Sequence, residues 1–184
     1  MPRKSDKKEK LLSAARQLFH DQGFANTTLS DIAKASGVPL GNVYYYFKTK
    51  QELILAVIDQ KKREYDNMFE LWSKEKPKQG LTNYIERYEQ TADVISDCGC
   101  PDGGLSLELN KESSILSEQA NQLFTKQLEW ITERFSEIGR KDSRKLALHM
   151  MTSLQGSSLL SASLKDKKIL LDEILRLKGL VNKI

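Results

Sequence analysis

Two short segments with helical apolar spacing, residues 28–36 and 40–47, are separated only by Gly37-Val38-Pro39. So tight a gap cannot form an antiparallel helix hairpin. The two helices must cross steeply, as in a helix-turn-helix, whose second helix enters the major groove. Gly37 can take the positive φ that such a turn needs. Ile32, Ala33, Val38 and Val43 can fill a small core, and Thr28 with Asp31 three residues on has the form of a capping box. The second helix carries groups suited to duplex DNA. Gly41 admits a close backbone approach, and Asn42 can read a base edge through paired donor and acceptor atoms. Tyr45 and Tyr46 offer hydroxyls to phosphate, Lys48 and Lys50 add charge, and Thr28 offers its hydroxyl and the amides of a helix start.

The rest of the chain also reads as helix. Leu11, Ala15, Leu18, Phe19 and Gln22 recur at helical spacing until Gly23 stops them, while residues 1–10 read as a frayed polar segment. Thr49 with Glu52 opens a long helix over 50–72, with Leu53, Val57, Lys61, Tyr65, Met68 and Trp72 along one side, and Pro77 and Gly80 break it. A further helix runs to about Ser96. The strongest punctuation follows, Asp97 to Gly104, and another helix begins near Leu105. Leu116 to Ile138 make a long amphipathic face closed by Gly139, and helices over 142–162 and 168–182 complete the chain. No stretch alternates as a strand does. The expectation is an all-α protein of nine or so helices, with a head over residues 1–50 and a helical body over 51–184.

Charge is unevenly spread. The net charge is +4, and residues 1–50 hold nine basic and four acidic side chains while the remaining 134 hold 20 and 21. A polyanion-binding head and a merely solvated basic tail both fit this asymmetry. For the same reason Arg3, Lys4, Lys7 and Lys8 read equally as an arm on DNA or as a solubilising tail. Two cysteines are too few for a disulfide framework, no apolar run approaches a membrane span, and Met1-Pro2-Arg3-Lys4 lacks an apolar signal core. A soluble, cytoplasmic protein is expected. No paired carboxylates, nucleophile–base arrangement or phosphate loop is present, so no enzyme, cofactor or metal is expected. Cys98 and Cys100 supply only two ligands, and His20 and His149 are remote in sequence.

Thr27-Thr28-Leu29-Ser30-Asp31-Ile32-Ala33, Ser36-Gly37-Val38 and the run Gly41 to Leu53 resemble the DNA-binding domain of TetR/AcrR-family transcriptional regulators over roughly residues 8–55. The resemblance implies phosphate contacts from Thr28, Tyr45 and Lys50, contacts to bases or backbone from Leu40, Gly41 and Asn42, and structural roles for Tyr44 and Phe47. The sequence departs from the family at Pro39, where a capping Ser or Thr is frequent, and at Tyr46, where His is common.

The resemblance further implies that the body binds a small effector and forms a homodimer on a near-palindromic operator. The last two long helices would pair with their symmetry mates in a four-helix bundle, with Leu146, Leu154, Leu159, Ile169, Ile174, Leu177 and Val181 available to that seam or to the subunit's own core. Phe69, Trp72, Tyr84, Tyr88, Cys100, Leu105, Leu109, Phe124, Trp130 and Met151 are candidates for an apolar or aromatic effector pocket, although the same spacing serves ordinary packing. Cys98-Gly99-Cys100-Pro101 resembles a segment of one branch that includes sensors of electrophiles and oxidants. Cys100, ahead of a helix start, reads either as an activated thiolate or as a small buried apolar residue. The reading is thus a ligand-responsive regulator, most simply a repressor. A thiol oxidoreductase would lack Cys-x-x-Cys and any βαβ pattern, and a carrier with a silent head would not need Gly41, Asn42, Tyr45 and Lys50.

Overall fold

The computed structural model describes residues 4–112 and 114–184. Ten helices follow one another, with no strand among the described residues: α1 Lys4–Asp21, α2 Leu29–Ser36, α3 Leu40–Tyr46, α4 Lys50–Trp72, α5 Pro77–Gln90, α6 Ala92–Cys98, α7 Pro101–Leu109, α8 Ser114–Glu137, α9 Ser143–Leu164 and α10 Lys167–Lys183. The all-α expectation holds.

Two of the helix boundaries differ from the sequence reading for local reasons. The helix expected to run unbroken to Ser96 is interrupted at Thr91, whose hydroxyl bonds back to the Arg87 carbonyl at 2.9 Å and whose ψ of 13° leaves the helical range. The helix expected near Leu105 begins at Pro101 instead, because proline at a first helical position forfeits no hydrogen bond. Gly103 and Gly104 do not stop it. At Gly103 a Cβ would lie 2.9 Å from Gln155 Oε1, so a glycine here admits close packing rather than a turn. At the N-terminus, helix replaces the expected frayed segment from Lys4 onward. Arg3 and the side chain of Lys4 lie outside the described residues. Lys8 stands with its ammonium 5.9 Å from the Phe47 ring centre.

The chain forms two compact units, residues 1–63 with 104–123 and residues 64–103 with 124–184. The head is therefore larger than the expected 1–50, because the last part of α7 and the first part of α8 fold with it. Its core is built from Leu11, Ala15 and Phe19 of α1, Ile32 of α2, Val38, Val43, Phe47, and Leu53, Ile54, Val57 and Ile58 of α4, with Leu105, Leu109, Leu116, Ala120 and Leu123 from the returning segment. Each large apolar side chain so buried contributes about 1.5–3 kcal/mol, which a three-helix head could not collect in such number alone. Leu105 and Leu109, expected in an effector pocket, belong to this core.

In the second unit α10 packs on α9 and α5, and α6 packs on α9. Leu170, Ile174, Leu177 and Val181 recur every three or four residues and are buried, as is Leu154 of α9. Leu154, Ile174, Leu177 and Val181 therefore serve the subunit's own core rather than a seam between copies. The exposed apolar residues of these helices are Leu148, Leu159, Leu160, Leu164 and Leu175. No helix among the described residues is long and apolar enough to cross a membrane.

Candidate nucleic-acid interface and buried polar cluster

The helix-turn-helix is fixed by short-range chemistry. Thr28 Oγ1 accepts from the Asp31 amide at 3.1 Å and the Asp31 carboxylate accepts from the Thr28 amide at 2.9 Å, a complete capping box. These hydrogen bonds from the Thr28 hydroxyl and amide hold the Asp31 carboxyl below the ordinary carboxylate range. Gly37 ends α2 in the left-handed region at φ 66°, as expected. Pro39 stands at the start of α3 with no side-chain cap, yet its carbonyl accepts from the Asn42 and Val43 amides at 2.8 and 3.2 Å. At the far end Thr49 Oγ1 accepts from the Glu52 amide at 3.1 Å, and the Glu52 carboxylate accepts from the Lys48 amide at 2.7 Å.

This scaffold buries Val43 and Phe47 and turns the other face of α3 to solvent. Leu40, Gly41, Tyr44, Tyr45 and Lys48 are exposed, and Asn42 and Tyr46 are half-buried. Tyr44, expected in the core, is 48% exposed and joins the presented surface, because Val43 and Phe47, four residues apart, already fill the inward stripe. Tyr45 and Tyr46 meet edge to face with ring centres 5.1 Å apart, which limits the rotation of both rings.

Two expected phosphate contacts have internal partners. The Thr28 hydroxyl donates its proton to Asp31 at 2.7 Å, leaving the first amides of α2 as the donors at that end. Lys50 is turned inward. Its Nζ donates to the Phe24 carbonyl at 2.6 Å and the Ala25 carbonyl at 3.2 Å, and lies 4.3 Å from the Phe24 ring centre. Spacing could not reveal this role, because the partner turn lies some 25 residues away along the chain.

The second unit contains a buried polar cluster. Arg87 of α5 donates through Nη1 to the Tyr65 hydroxyl at 2.7 Å, and that hydroxyl donates to Asp102. The guanidinium lies over three tyrosine rings, with centres 4.8 Å away for Tyr65, 5.7 Å for Tyr84 and 5.2 Å for Tyr88. Arg87 Nε has no acceptor among the described residues. Tyr84 donates to buried Gln127 at 2.9 Å, and Gln155 Nε2 donates to the Tyr88 hydroxyl at 3.1 Å and to Cys100 Sγ at 3.4 Å. Burial pushes the Tyr84 hydroxyl up to about 12 and raises Tyr65 and Tyr88 as well.

Beside the cluster the rings of Phe69 and Trp130 stack at 4.6 Å and 8°, and Trp72 and Tyr84 lie within 6.2 Å of Trp130. Of the ten expected pocket residues, the aromatic contacts and hydrogen bonds link Phe69, Trp72, Tyr84, Tyr88, Cys100 and Trp130. Met151 is buried and Phe124 half-buried in the same unit. Tyr65, Arg87, Asp102, Gln127 and Gln155 escaped the sequence reading. Only the placement of Tyr65 on the inward stripe of α4 hinted at any of them.

Cys98 is exposed. For Cys100, burial and then the Asp102 charge raise the thiol pKa, outweighing hydrogen bonds from the Gly103 amide and Gln155. Cys100 is thus held as a thiol, not activated as the helix start alone would suggest.

Comparison with known proteins adds four findings. Residues 11–57 match the family of bacterial regulatory proteins described as tetR. An HTH-type transcriptional regulator encoded in the lacX 3′ region of Lactococcus lactis is 30% identical over 177 residues, 89% of this chain and 87% of that protein. The HTH-type transcriptional repressor NemR of Escherichia coli is 30% identical over 125 residues, 66% of this chain and 61% of NemR. Among solved structures, a TetR transcriptional regulator from Legionella pneumophila shares the fold with a TM-score of 0.81 at 20% identity, covering 94% of this chain and 96% of that one.

Proposed function

Because this chain belongs to the TetR family of transcriptional regulators, which are not enzymes, we propose that it acts as a dimeric repressor released from a near-palindromic operator by a small apolar or aromatic effector. The observation that carries the reading is the solvent face of α3. Leu40, Gly41, Tyr44 and Tyr45 stand exposed on a seven-residue helix, with Lys48 exposed just beyond its end and Asn42 and Tyr46 half-buried beside them. The Pro39 carbonyl accepts from the Asn42 and Val43 amides at the start of the helix, and the Phe47 amide closes its end on the Val43 carbonyl. In this reading Asn42 meets base edges, while Tyr45, Tyr46, Lys48 and the first amides of α2 meet phosphates. Lys50 shapes the preceding turn. The resemblance to NemR, itself named a repressor, supports the sign of regulation.

The dimer is read from Leu159, Leu160, Leu164 and Leu175, which are 51–65% exposed. Five such leucines, with Leu148, on two neighbouring helices form the kind of apolar surface that a second copy covers. Gly156 and Gly179, with no heavy atom within 4 Å of a would-be Cβ, leave room for close helix approach. An open groove of about 550 Å³ lined by Leu175, Gly179, Leu180 and Ile184 with Arg140, Arg176 and Lys183 continues this face.

The effector is assigned to the aromatic and polar interior around Tyr65, Phe69, Trp72, Tyr84, Tyr88 and Trp130. An aromatic molecule suits stacking rings, whereas the protonated Cys100 thiol disfavours an electrophile as the natural signal. Tyr65, Phe69 and Trp72 all lie on α4, whose first residue is Lys50. Displacing them shifts the helix that also carries the Lys50 contact, so an effector that prefers the displaced state lowers operator affinity by population shift.

The test is selection of duplexes from a random-sequence pool by the purified protein, followed by binding at rising salt. One enriched palindromic sequence, bound by two chains with affinity falling steeply in salt, supports the reading. An unenriched pool removes it.

A further inference from the structure

Glu108 holds the turn that leads into the helix-turn-helix, although it stands 84 residues downstream. Its carboxylate accepts from the Phe24 amide at 2.7 Å and the Ala25 amide at 2.6 Å. The carbonyls of the same two residues accept from Lys50 Nζ at 2.6 and 3.2 Å. One dipeptide is thus gripped by an anion on its donors and a cation on its acceptors, four charge-assisted hydrogen bonds of the stronger class. The arrangement requires Gly23. Its φ is 85°, and a Cβ there would lie 3.1 Å from Glu108 Oε1. Immediately beyond, buried Thr27 donates to the Gly23 carbonyl at 2.7 Å, and Thr28 caps α2. The gripped dipeptide is therefore separated from the start of α2 by only a few residues, all of them pinned.

Resting on the DNA-binding reading above, we propose that Glu108 is a positioning residue for operator recognition: it fixes the α1–α2 turn and thereby the direction in which α2 and α3 are presented. Glu108 touches no base or phosphate itself. Without its charge the turn loses its amide partners, and the two helices sample orientations that still attract phosphate but no longer place Asn42 on a base edge. Specific binding suffers while non-specific binding does not.

The experiment compares wild type, Glu108→Gln and Leu109→Ala in the full-length protein, at a temperature where circular dichroism shows all three folded. The DNA is the duplex that wild type enriches from a random pool, with a scrambled duplex as the non-specific reference. Leu109→Ala removes buried side-chain volume from the same unit while keeping every group that hydrogen-bonds to the turn, and so separates positioning from general stability. Glu108→Gln is expected to lose about tenfold in specific affinity and to keep scrambled-duplex affinity within about twofold. Amide exchange at Phe24 and Ala25 should also quicken. Leu109→Ala is expected to change neither affinity. The proposal is overturned if Glu108→Gln binds the selected duplex as wild type does, or if Leu109→Ala loses as much. A wild type that enriches no duplex takes the proposal down together with the reading on which it rests.

Discussion

Arg87 and Asp102 are joined through one hydroxyl: Arg87 Nη1 donates to Tyr65 Oη at 2.7 Å, and Tyr65 donates to Asp102. The link keeps two opposite charges paired inside the body without direct contact. Removing one partner strands the other, which costs roughly 3–5 kcal/mol for a buried pair. Asp102→Asn and Arg87→Met should each lower the free energy of unfolding by about that amount, and the double variant should lose less than the sum of the two. Urea denaturation of the four proteins measures this, and an additive double variant would show that the link carries no coupling.

The same burial separates the tyrosines. Tyr84 is pushed up to about 12 and Tyr65 and Tyr88 also rise, so the folded state holds their protons more tightly than the unfolded state does. The resulting stability is fully present below the unfolded tyrosine value of about 10 and is lost as pH climbs through the folded values. A spectrophotometric titration should show one class of tyrosine ionising only together with alkaline unfolding. Replacement of Tyr84 by Phe should shrink that class by one.

Thiol chemistry discriminates the two cysteines. Cys98 is exposed, while Cys100 is held as a thiol by its surroundings. Iodoacetamide at neutral pH should label Cys98 first and reach Cys100 only on denaturation, as read by mass spectrometry of the two peptides. Faster labelling at Cys100 would restore the sensor role.

On α9 and α10, outward and inward leucines should behave oppositely. Leu159→Glu and Leu164→Glu should yield monomers in sedimentation with little change in unfolding of the isolated chain. Leu154→Ala and Leu177→Ala, both fully buried, should cost about 2–5 kcal/mol through the cavities they leave.

Gly80 tests packing against propensity. Alanine is favoured over glycine inside a helix by about 1 kcal/mol, yet a Cβ at Gly80 would lie 2.9 Å from the Trp72 carbonyl oxygen, which is backbone and cannot swing aside. Overpacking of this kind costs about 1–3 kcal/mol. Gly80→Ala should therefore lower the Tm, and a raised Tm would contradict the close approach.

Much of the head was legible because its determinants are local. Thr28 with Asp31, Gly37 and the stripe of Val43 and Phe47 act within a few residues of one another, so spacing reveals them. Tyr44 misled because the structural role was carried over from the resemblance, whereas its position relative to Val43 and Phe47 turns it to solvent. The grip on residues 24 and 25 was invisible for another reason. Glu108 and Lys50 are ordinary charged residues whose partners are backbone atoms far along the chain, and no side-chain pattern announces such a bond. The buried body cluster was missed similarly: no spacing marks Arg87 and Asp102 as charges that the fold joins through Tyr65. Among the leucines of the last two helices, period alone could not assign inward and outward faces, because both stripes repeat every three to four residues.

On the proposed function, the exposed face of α3 is the surface that reads duplex DNA. The most direct measurement is the affinity of wild type and Asn42→Ala for the selected duplex and its scrambled counterpart across a salt series. A steep, parallel fall with salt is expected for both proteins, with a loss of about tenfold for Asn42→Ala on the selected duplex alone. Equal affinity of wild type for the two duplexes, or selected-duplex binding untouched by Asn42→Ala, would contradict the proposed function.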